Sequence, residues 1–219
     1  MIILLGNQKG GCGKSTIACN LAGMLVNKGK DVMLVESDEQ ITTSLWVGDR
    51  KLEHPDYPKI NSVQKYGDVD DALVDLDKRY EYVIVDAAGR DSKELRSALI
   101  VCHALVMPFR PSGPELTTLR HMESMIKMAV RINTGMKVFA FVNSAPTNTQ
   151  DKDSESAREA ISSYSIIKLL KTSVHDRRIY RDAMSEGLAV TEMADKSSSA
   201  MAAKNEMESL LLEILNETI

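Results

Sequence analysis

The chain has 219 residues, of which 43% are hydrophobic and 26% charged, and its formal net charge is −4, so it is long enough for one α/β domain and short for two. This charge excludes a global basic field for nucleic acid or membrane, and no apolar run is long enough to cross a bilayer. The three cysteines, Cys12, Cys19 and Cys102, form no C-x-x-C pair, which argues against a disulfide framework or a zinc site and favours a reducing cytoplasm.

Apolar, β-branched segments alternate with helical patterns along the chain. The first strand is predicted at 2–6, and an apolar stripe at helical spacing predicts a helix from Ser15 to Lys28. Further strands are predicted at 31–37, 80–89, 103–109, 137–144 and 166–174. Further helices are predicted at 68–78, 91–101, 114–133 and 151–163. The alternation predicts a doubly wound α/β fold, with a mostly parallel sheet and helices on both faces.

The rest of the chain offers few signs of a second unit. Residues 48–66 are the least periodic and predict a surface loop with a short extra element. No internal repeat or long Pro/Gly/Ser linker is visible, and the sequence begins directly with the first strand. We therefore expect a single domain over 1–219, without a separate N-terminal DNA-reading domain.

A glycine-rich stretch, "GNQKGGCGKST" at 6–16, follows the first strand and precedes an amphipathic helix. Such a loop turns backbone N–H groups toward a phosphate, and the helix N-terminus adds its positive end. Lys14 is placed to reach the β- and γ-phosphates, and the Ser15 hydroxyl to bind Mg²⁺. The stretch departs from G-x-x-x-x-G-K-[ST] because Gln8 replaces the first glycine, and it carries a second lysine, Lys9.

Nucleotide hydrolysis also needs a carboxylate for the metal and a group that positions water. Asp86 ends a buried strand in "YVIVDAAGR", where the crevice of such a sheet lies. Asp38, in "VESDEQ", lies just past the second strand and is a candidate for positioning water. Asp38 is also placed to cap a helix that starts in "EQITTSLW", and that structural role does not exclude a catalytic one.

These residues resemble the ParA/MinD family of deviant P-loop ATPases, and most closely its small plasmid-partition members. "KGGCGKST" (9–16) matches the family's K-G-G-x-G-K-[ST]-[ST] loop, with Lys9 at the signature lysine. "VESDEQ" resembles its D-x-D-P-Q segment, with Glu36 and Glu39 in place of Asp and Pro. Weaker resemblances are "VIVDAAG", the switch-like "PFRPSGPELTTL" (108–119) and "TSVHDRRIYRDAMSEGLAV" (172–190).

The resemblance implies ATP and Mg²⁺ as cofactors and a homodimer that forms when ATP binds. Lys9 would reach the phosphates of the partner's site, and Lys14 those of its own. Ser15 and Asp86 would hold Mg²⁺, and Asp38, also near the metal, would position the attacking water. The implied nucleotide-binding residues are Lys9, Gly10, Gly11, Cys12, Gly13, Lys14, Ser15, Thr16 and Asn143. Asn143 would contact adenine, although a turn asparagine after a strand explains this residue equally well.

A basic cluster lies in "KLLKTSVHDRRIYR" at 168–181. Its members are Lys168, Lys171, Arg177, Arg178 and Arg181. Composition alone favours a solvated helix face with salt bridges to neighbours such as Asp182. The resemblance instead implies non-specific binding to nucleoid DNA by the ATP dimer, with Arg177 and Arg181 on one helical face.

The C-terminal helix distinguishes this chain from relatives that cycle on membranes. "NEMESLLLEILNETI" has an apolar stripe, but its polar face carries glutamates, which anionic lipid would repel. Packing on the domain core is therefore expected, and no membrane partner.

The function that the resemblance implies is DNA partition by an ATPase. A centromere-binding adaptor would stimulate hydrolysis, and the protein would be cytoplasmic and associated with the nucleoid. Three alternatives stay open: a positioning ATPase for a conjugation, secretion or chemotaxis assembly, a membrane-cycling ATPase of the MinD type, and an enzyme of the same fold that uses ATP to activate a small substrate.

Overall fold

The computed structural model describes residues 1–111, 118–148 and 152–218. The strands are β1 (Ile2–Leu5), β2 (Val32–Ser37), β3 (Asn61–Gln64), β4 (Tyr82–Ala87), β5 (Ala104–Phe109), β6 (Lys137–Ala145), β7 (Lys168–Leu169) and β8 (Val174–His175). The helices within the described ranges are α1 (Lys14–Asn27), α2 (Thr42–Glu53), α3 (Asp70–Asp77), α4 (Lys93–Leu99), α5 (Thr118–Val130), α6 (Lys152–Ser162), α7 (Arg178–Ser185) and α8 (Ser198–Thr218). Half of the switch-like segment predicted at 108–119, residues 112–117, lies outside these ranges.

The strands form one sheet in the order β3-β2-β4-β1-β5-β6-β7, with β8 paired to β6. All the pairings between described strands are parallel. β1 lies between β4 and β5, so the chain winds toward one edge and then returns to build the other half. The predicted doubly wound α/β fold is confirmed, and the crevice for a ligand lies at the carboxyl ends of these central strands.

Both faces of the sheet are covered, as the apolar run of β1 predicts. Ile3 and Leu5 join a core that contains residues of α1, α2, α7 and α8. Ile2 and Leu4 point to the other face and pack with residues of α3, α4 and α5. Successive side chains of a strand alternate between faces, so a central strand must be apolar throughout.

The C-terminal helix packs on the domain, as predicted from its acidic face. Met207, Leu210, Leu211 and Ile214 of α8 are all fully buried. In the described part of the chain, no helix has both the length and the apolar character of a membrane span.

Two predicted elements differ from the structure. The segment 48–66, predicted as a surface loop with a short extra element, begins inside helix α2 (Thr42–Glu53). Its short element is the edge strand β3, whose polar sequence "NSVQ" and exposed side chains give no alternating pattern. The strand predicted at 166–174 is two separate pairs of residues, β7 and β8, both bonded to β6. In both places, pairing with a neighbouring strand fixes the local structure, and a single sequence does not contain that information.

Helix α2 is fixed to the segment that follows α7. The indole Nε1 of Trp46 donates to the Leu188 carbonyl at 3.3 Å. Arg50 and Glu192 form a bidentate ion pair at 2.6 and 2.7 Å, and each side chain is only 3% exposed. The Arg50 guanidinium also lies 5.6 Å from the centre of the Trp46 ring. These contacts make α2 and residues 187–192 one packed unit.

Candidate nucleotide site

The glycine-rich loop joins β1 to α1 at the carboxyl edge of the sheet. Gly13 precedes the helix with φ of 97°, a left-handed conformation that glycine adopts at little cost. A Cβ at this position would lie 2.3 Å from the side-chain nitrogen of Asn143. The sequence therefore needs a glycine here both for the turn and for close packing.

Lys14 is the first residue of α1, and its side chain is almost fully buried. Its Nζ donates to the Lys9 carbonyl at 3.3 Å and lies 3.9 Å from the Cys12 sulfur. The ammonium therefore lies within the curve of the loop, as phosphate binding requires. Ser15 and Thr16 follow on the first turn of α1 and are half-buried.

The side chain of Lys9 behaves differently. Lys9 is exposed, and its ammonium makes no hydrogen bond or ion pair within the described residues. Only its backbone takes part in the loop, through its carbonyl and through its N–H, which donates to Asn7 at 3.3 Å. One lysine thus points into the loop and the other is free to contact a second molecule.

Two buried asparagines join the loop to neighbouring strands. The Asn7 amide donates to the Pro108 carbonyl of β5 at 2.8 Å. The Asn143 amide, near the end of β6, donates to the Cys12 carbonyl at 2.6 Å. Asn143 is therefore not a turn residue but lies within the strand, and its contact with adenine stays a prediction. The role of Asn7 is not visible in the sequence, because only the fold brings β5 beside the loop.

Gly89 is a second residue that the sequence analysis did not assign. It follows β4, and a Cβ here would lie 2.7 Å from the Gly10 backbone and 3.0 Å from the Lys14 ammonium. The turn after β4 therefore approaches the loop so closely that only glycine fits. The glycine in "DAAG" was a visible signal, but its neighbour across the site was not.

Asp86 lies near the end of β4 and is fully buried. Neither of its carboxylate oxygens has a well-aligned hydrogen bond within the described residues. Burial raises the pKa of Asp86 to about 7, and the Ser15 hydroxyl and the Lys14 ammonium beside it oppose this only in part. A buried, unsatisfied carboxylate is costly. Oxygen ligands of this kind are what Mg²⁺ prefers, so Asp86 and Ser15 fit the predicted metal.

Asp38 follows β2 in a short turn and is half-buried. It is not the N-cap of α2, as the sequence allowed, since Ile41 holds that position. The Asp38 carboxylate instead accepts from the Gln40 N–H at 3.1 Å. The capping role belongs to Glu36, whose Oε2 accepts from the Thr43 N–H at 2.7 Å. Asp38 is close enough to Asp86 for its charge to raise the pKa of Asp86.

A cavity of about 440 Å³ opens beside the loop, lined among others by Gly13, Thr16, Asn143, Tyr180 and Arg181. It connects the first turn of α1 with the surface of α7. Its volume and its position next to the phosphate loop fit the nucleoside part of a nucleotide.

Arg177 differs from the other four residues of the basic cluster, which are exposed. Arg177 precedes α7 with extended backbone, so it does not share a helical face with Arg181 as predicted. Its side chain is 14% exposed and pairs with Glu206 at 2.7 Å. Arg178 and Arg181 are exposed and pair with Asp182 and Asp176. Lys168 pairs with Glu217, and Lys171 is exposed.

The fold and the loop define a class, the P-loop nucleotide-binding proteins with helices on both sides of a parallel sheet. The family described as "CobQ/CobB/MinD/ParA nucleotide binding domain" matches residues 3–190. The chain therefore belongs to this family, and the predicted resemblance to ParA/MinD ATPases is confirmed.

A curated relative is "Maintenance of carboxysome distribution protein A" of Halothiobacillus neapolitanus, which is 27% identical over 99% of this chain and 95% of its own length. The septum site-determining protein MinD of Pyrococcus horikoshii, complexed with Mg-ADP, superposes with a TM-score of 0.74 at 17% identity, covering 100% of this chain and 98% of that one. A putative plasmid partition protein of Borrelia burgdorferi bound to AMPPNP gives 0.71 at 15% identity, covering 96% and 98%. The chain is an ATPase of the ParA/MinD type, and the predicted cofactors, ATP and Mg²⁺, agree with these nucleotide complexes.

Proposed function

We propose that this chain is a ParA-type positioning ATPase that uses DNA as its track. ATP brings two copies face to face, the dimer binds DNA non-specifically, and an adaptor on the cargo stimulates hydrolysis and release. The observation that supports this proposal is the contrast between the two lysines of the loop. Lys14 is buried within its own loop, whereas the ammonium of Lys9 is exposed at the rim of the site.

The proposed roles follow from the positions of the side chains. Lys14 and the N–H groups of the loop bind the phosphates, and Asn143 keeps the loop in the shape that this requires. Ser15 and Asp86 would hold Mg²⁺, which neutralises charge on the phosphates when bound. Asp38, on its turn beside Asp86, orients the attacking water. Lys9 adds its charge to the site of the second copy, a contribution like that of an arginine finger, worth roughly 10³-fold or more in rate.

The test compares Lys9→Ala with Lys14→Ala. Lys9→Ala should keep ATP binding by the monomer but lose ATP-dependent dimerisation and the stimulated ATPase rate. Lys14→Ala should lose ATP binding itself, because its ammonium lies within the loop. Lys28→Ala, an exposed lysine at the far end of α1, is the matched control and should behave like the wild type. Sedimentation and nucleotide titration distinguish the three, and a Lys9→Ala protein that still dimerises with ATP would refute the shared site.

Binding to DNA is proposed for the exposed members of the basic cluster. These are Lys168, Lys171, Arg178 and Arg181. Arg177 is tied to Glu206, so removing it tests packing rather than DNA contact. Arg178→Ala with Arg181→Ala should weaken DNA binding of the ATP form and flatten its salt dependence, which is about −0.9 in slope per phosphate contacted. Arg79→Ala removes an exposed arginine paired at i,i+4 with Asp75, like Arg178 with Asp182, and serves as control.

The cargo has two candidates, each favoured by a relative. The Borrelia protein is a putative plasmid partition protein, and DNA cargo with a centromere-binding adaptor is our first proposal. The Halothiobacillus relative is named for the maintenance of carboxysome distribution, which favours a protein assembly as the second. Deleting the gene should cause loss of a replicon in the first case and mislocalised assemblies with stable DNA in the second. A neighbouring gene for a small ribbon–helix–helix or helix-turn-helix protein would support DNA cargo.

A further inference from the structure

The turn that carries Asp38 is short and strained. It runs from Asp38 to Ile41 and is closed by a hydrogen bond from the Ile41 N–H to the Asp38 carbonyl at 3.1 Å. Ile41 has φ of 50°, a left-handed conformation that is a clear outlier for a β-branched residue. Such strain costs about 1–3 kcal/mol and persists only where the surroundings enforce it. Some contact outside the turn must therefore hold it.

Glu36, at the end of β2, makes that contact. One carboxylate oxygen accepts from the Asp38 N–H at 3.3 Å, where the turn begins. The other accepts from the Thr43 N–H at 2.7 Å, the Thr43 hydroxyl at 2.6 Å and the Ser44 N–H at 3.3 Å, in the first turn of α2 directly after the Asp38–Ile41 turn. Glu36 is 1% exposed, so these bonds are protected from water. A single side chain thus holds both ends of the strained turn.

Capping α2 does not by itself explain this arrangement. A serine or threonine at the N-cap position would satisfy the same N–H groups without burying a charge. Glu36 is the register partner of Asp86 on the adjacent strand β4, so two carboxylates are buried side by side. Placing like charges together is costly. A buried Glu36 beside Asp86 is explained if ATP hydrolysis depends on the geometry of the turn between Glu36 and Thr43.

We propose that Glu36 is a positioning residue for hydrolysis, which fixes the Asp38 carboxylate relative to Ser15 and Asp86 by clamping both ends of the Asp38–Ile41 turn. This inference rests on the role proposed above for Asp38. Glu36 itself is 1% exposed and acts through the turn. Displacement of a catalytic group by about 1 Å can cost about 100-fold in rate, so loosening the turn should lower the rate of hydrolysis without changing the phosphate loop.

The first test replaces the carboxylate with an amide. Glu36→Gln keeps the size of the side chain, but its NH₂ group faces N–H donors at one end of the turn. We expect kcat to fall at least tenfold, with KM and the affinity for ATP within about twofold of the wild type. Backbone N–H groups of residues 38–44 should exchange hydrogen faster, as measured by mass spectrometry. Thr43→Val removes only the 2.6 Å hydroxyl bond and should give a smaller loss in the same direction.

The control and the rescue use a neighbouring residue. Glu39 is exposed and pairs with Arg90 at 3.0 Å, so Glu39→Gln should leave kcat and exchange unchanged. Glu36→Asp is one methylene shorter and cannot reach both ends, so kcat should fall. Adding Glu39→Pro to Glu36→Asp fixes φ within the turn and should recover part of the loss.

The outcomes separate this inference from the proposed function. If the wild type hydrolyses ATP and Glu36→Gln lowers the melting temperature while kcat and the exchange of residues 38–44 stay unchanged, Glu36 is only a helix cap and the inference is wrong. If Asp38→Ala retains the wild-type rate, the role proposed for Asp38 fails instead. A selective loss of kcat with faster exchange in the turn, restored in part by the second substitution, supports the inference.

Discussion

The ends of β2 and β4 carry two buried carboxylates in opposite situations. Glu36 and Asp86 are register partners on adjacent strands, 1% and 0% exposed. Glu36 accepts four hydrogen bonds, whereas neither oxygen of Asp86 has a well-aligned partner among the described residues. Burial is therefore not what distinguishes them. The satisfied carboxylate holds the protein together, and the unsatisfied one is available to a ligand at the expense of stability.

The largest effect should come from Asp86→Asn. The amide keeps the shape but loses the charge that would hold Mg²⁺ beside Ser15. We expect kcat for Mg²⁺-dependent ATP hydrolysis to fall by at least about 100-fold, the scale of losing a group that stabilises transition-state charge. A steady-state phosphate-release assay measures this. Wild-type rates in the variant would mean that Asp86 does not serve the metal.

The two carboxylates should respond to substitution with opposite signs in stability. Asp86→Asn removes a buried charge that Ser15 and Lys14 compensate only in part, and it should raise the unfolding free energy of the metal-free protein by about 2–4 kcal/mol. Glu36→Ala leaves the N–H groups at the start of α2 without an acceptor and should lower it by about 2 kcal/mol. Urea denaturation in EDTA at pH 7.5 measures both values. If both substitutions changed the unfolding free energy in the same direction, the contrast between the satisfied Glu36 and the unsatisfied Asp86 would be wrong.

The pH dependence of stability should isolate Asp86. Its pKa is about 7 in the folded protein and 3.8 when unperturbed, so the unfolded state releases this proton first. The contribution of Asp86 to the unfolding free energy should therefore fall as pH rises from about 4 to about 7, and it should stay constant above pH 7. The difference in unfolding free energy between Asp86→Asn and the wild type, measured in EDTA, should grow over this range. A difference independent of pH would show that Asp86 titrates normally.

A smaller effect is expected where the turn after β4 meets the phosphate loop. In Gly89→Ala the added Cβ would lie 2.7 Å from the Gly10 backbone, so the loop must shift by several tenths of an ångström. We expect KM for ATP to rise about three- to tenfold, since binding loses part of the fit between loop and phosphates. Gly48→Ala, where a Cβ meets nothing within 4 Å, is the matched control. Equal KM values in the two variants would argue against this contact.

The sequence predicts the parts of the site that consecutive residues form, but not the contacts between distant segments. "KGGCGKST" and the aspartate that ends β4 are local signals, because loop, strand and helix are consecutive in the chain. The role of Glu36 was not predictable, since its bonds depend on how α2 returns toward β2. Asn7 and Asn143 hold the loop only because β5 and β6 lie beside it in the sheet. Arg177 looked like part of a basic surface, but Glu206 of α8, far away in the sequence, pairs with it.

The anchoring of α2 has a practical consequence for optical measurement. Trp46 is the single tryptophan of the chain, is 1% exposed, and bonds to the Leu188 carbonyl under the guanidinium of Arg50. It lies on the helix that starts directly after the Asp38 turn. Its fluorescence is therefore an intrinsic, site-specific reporter of any movement of α2, which allows nucleotide-driven changes to be followed in real time without a label.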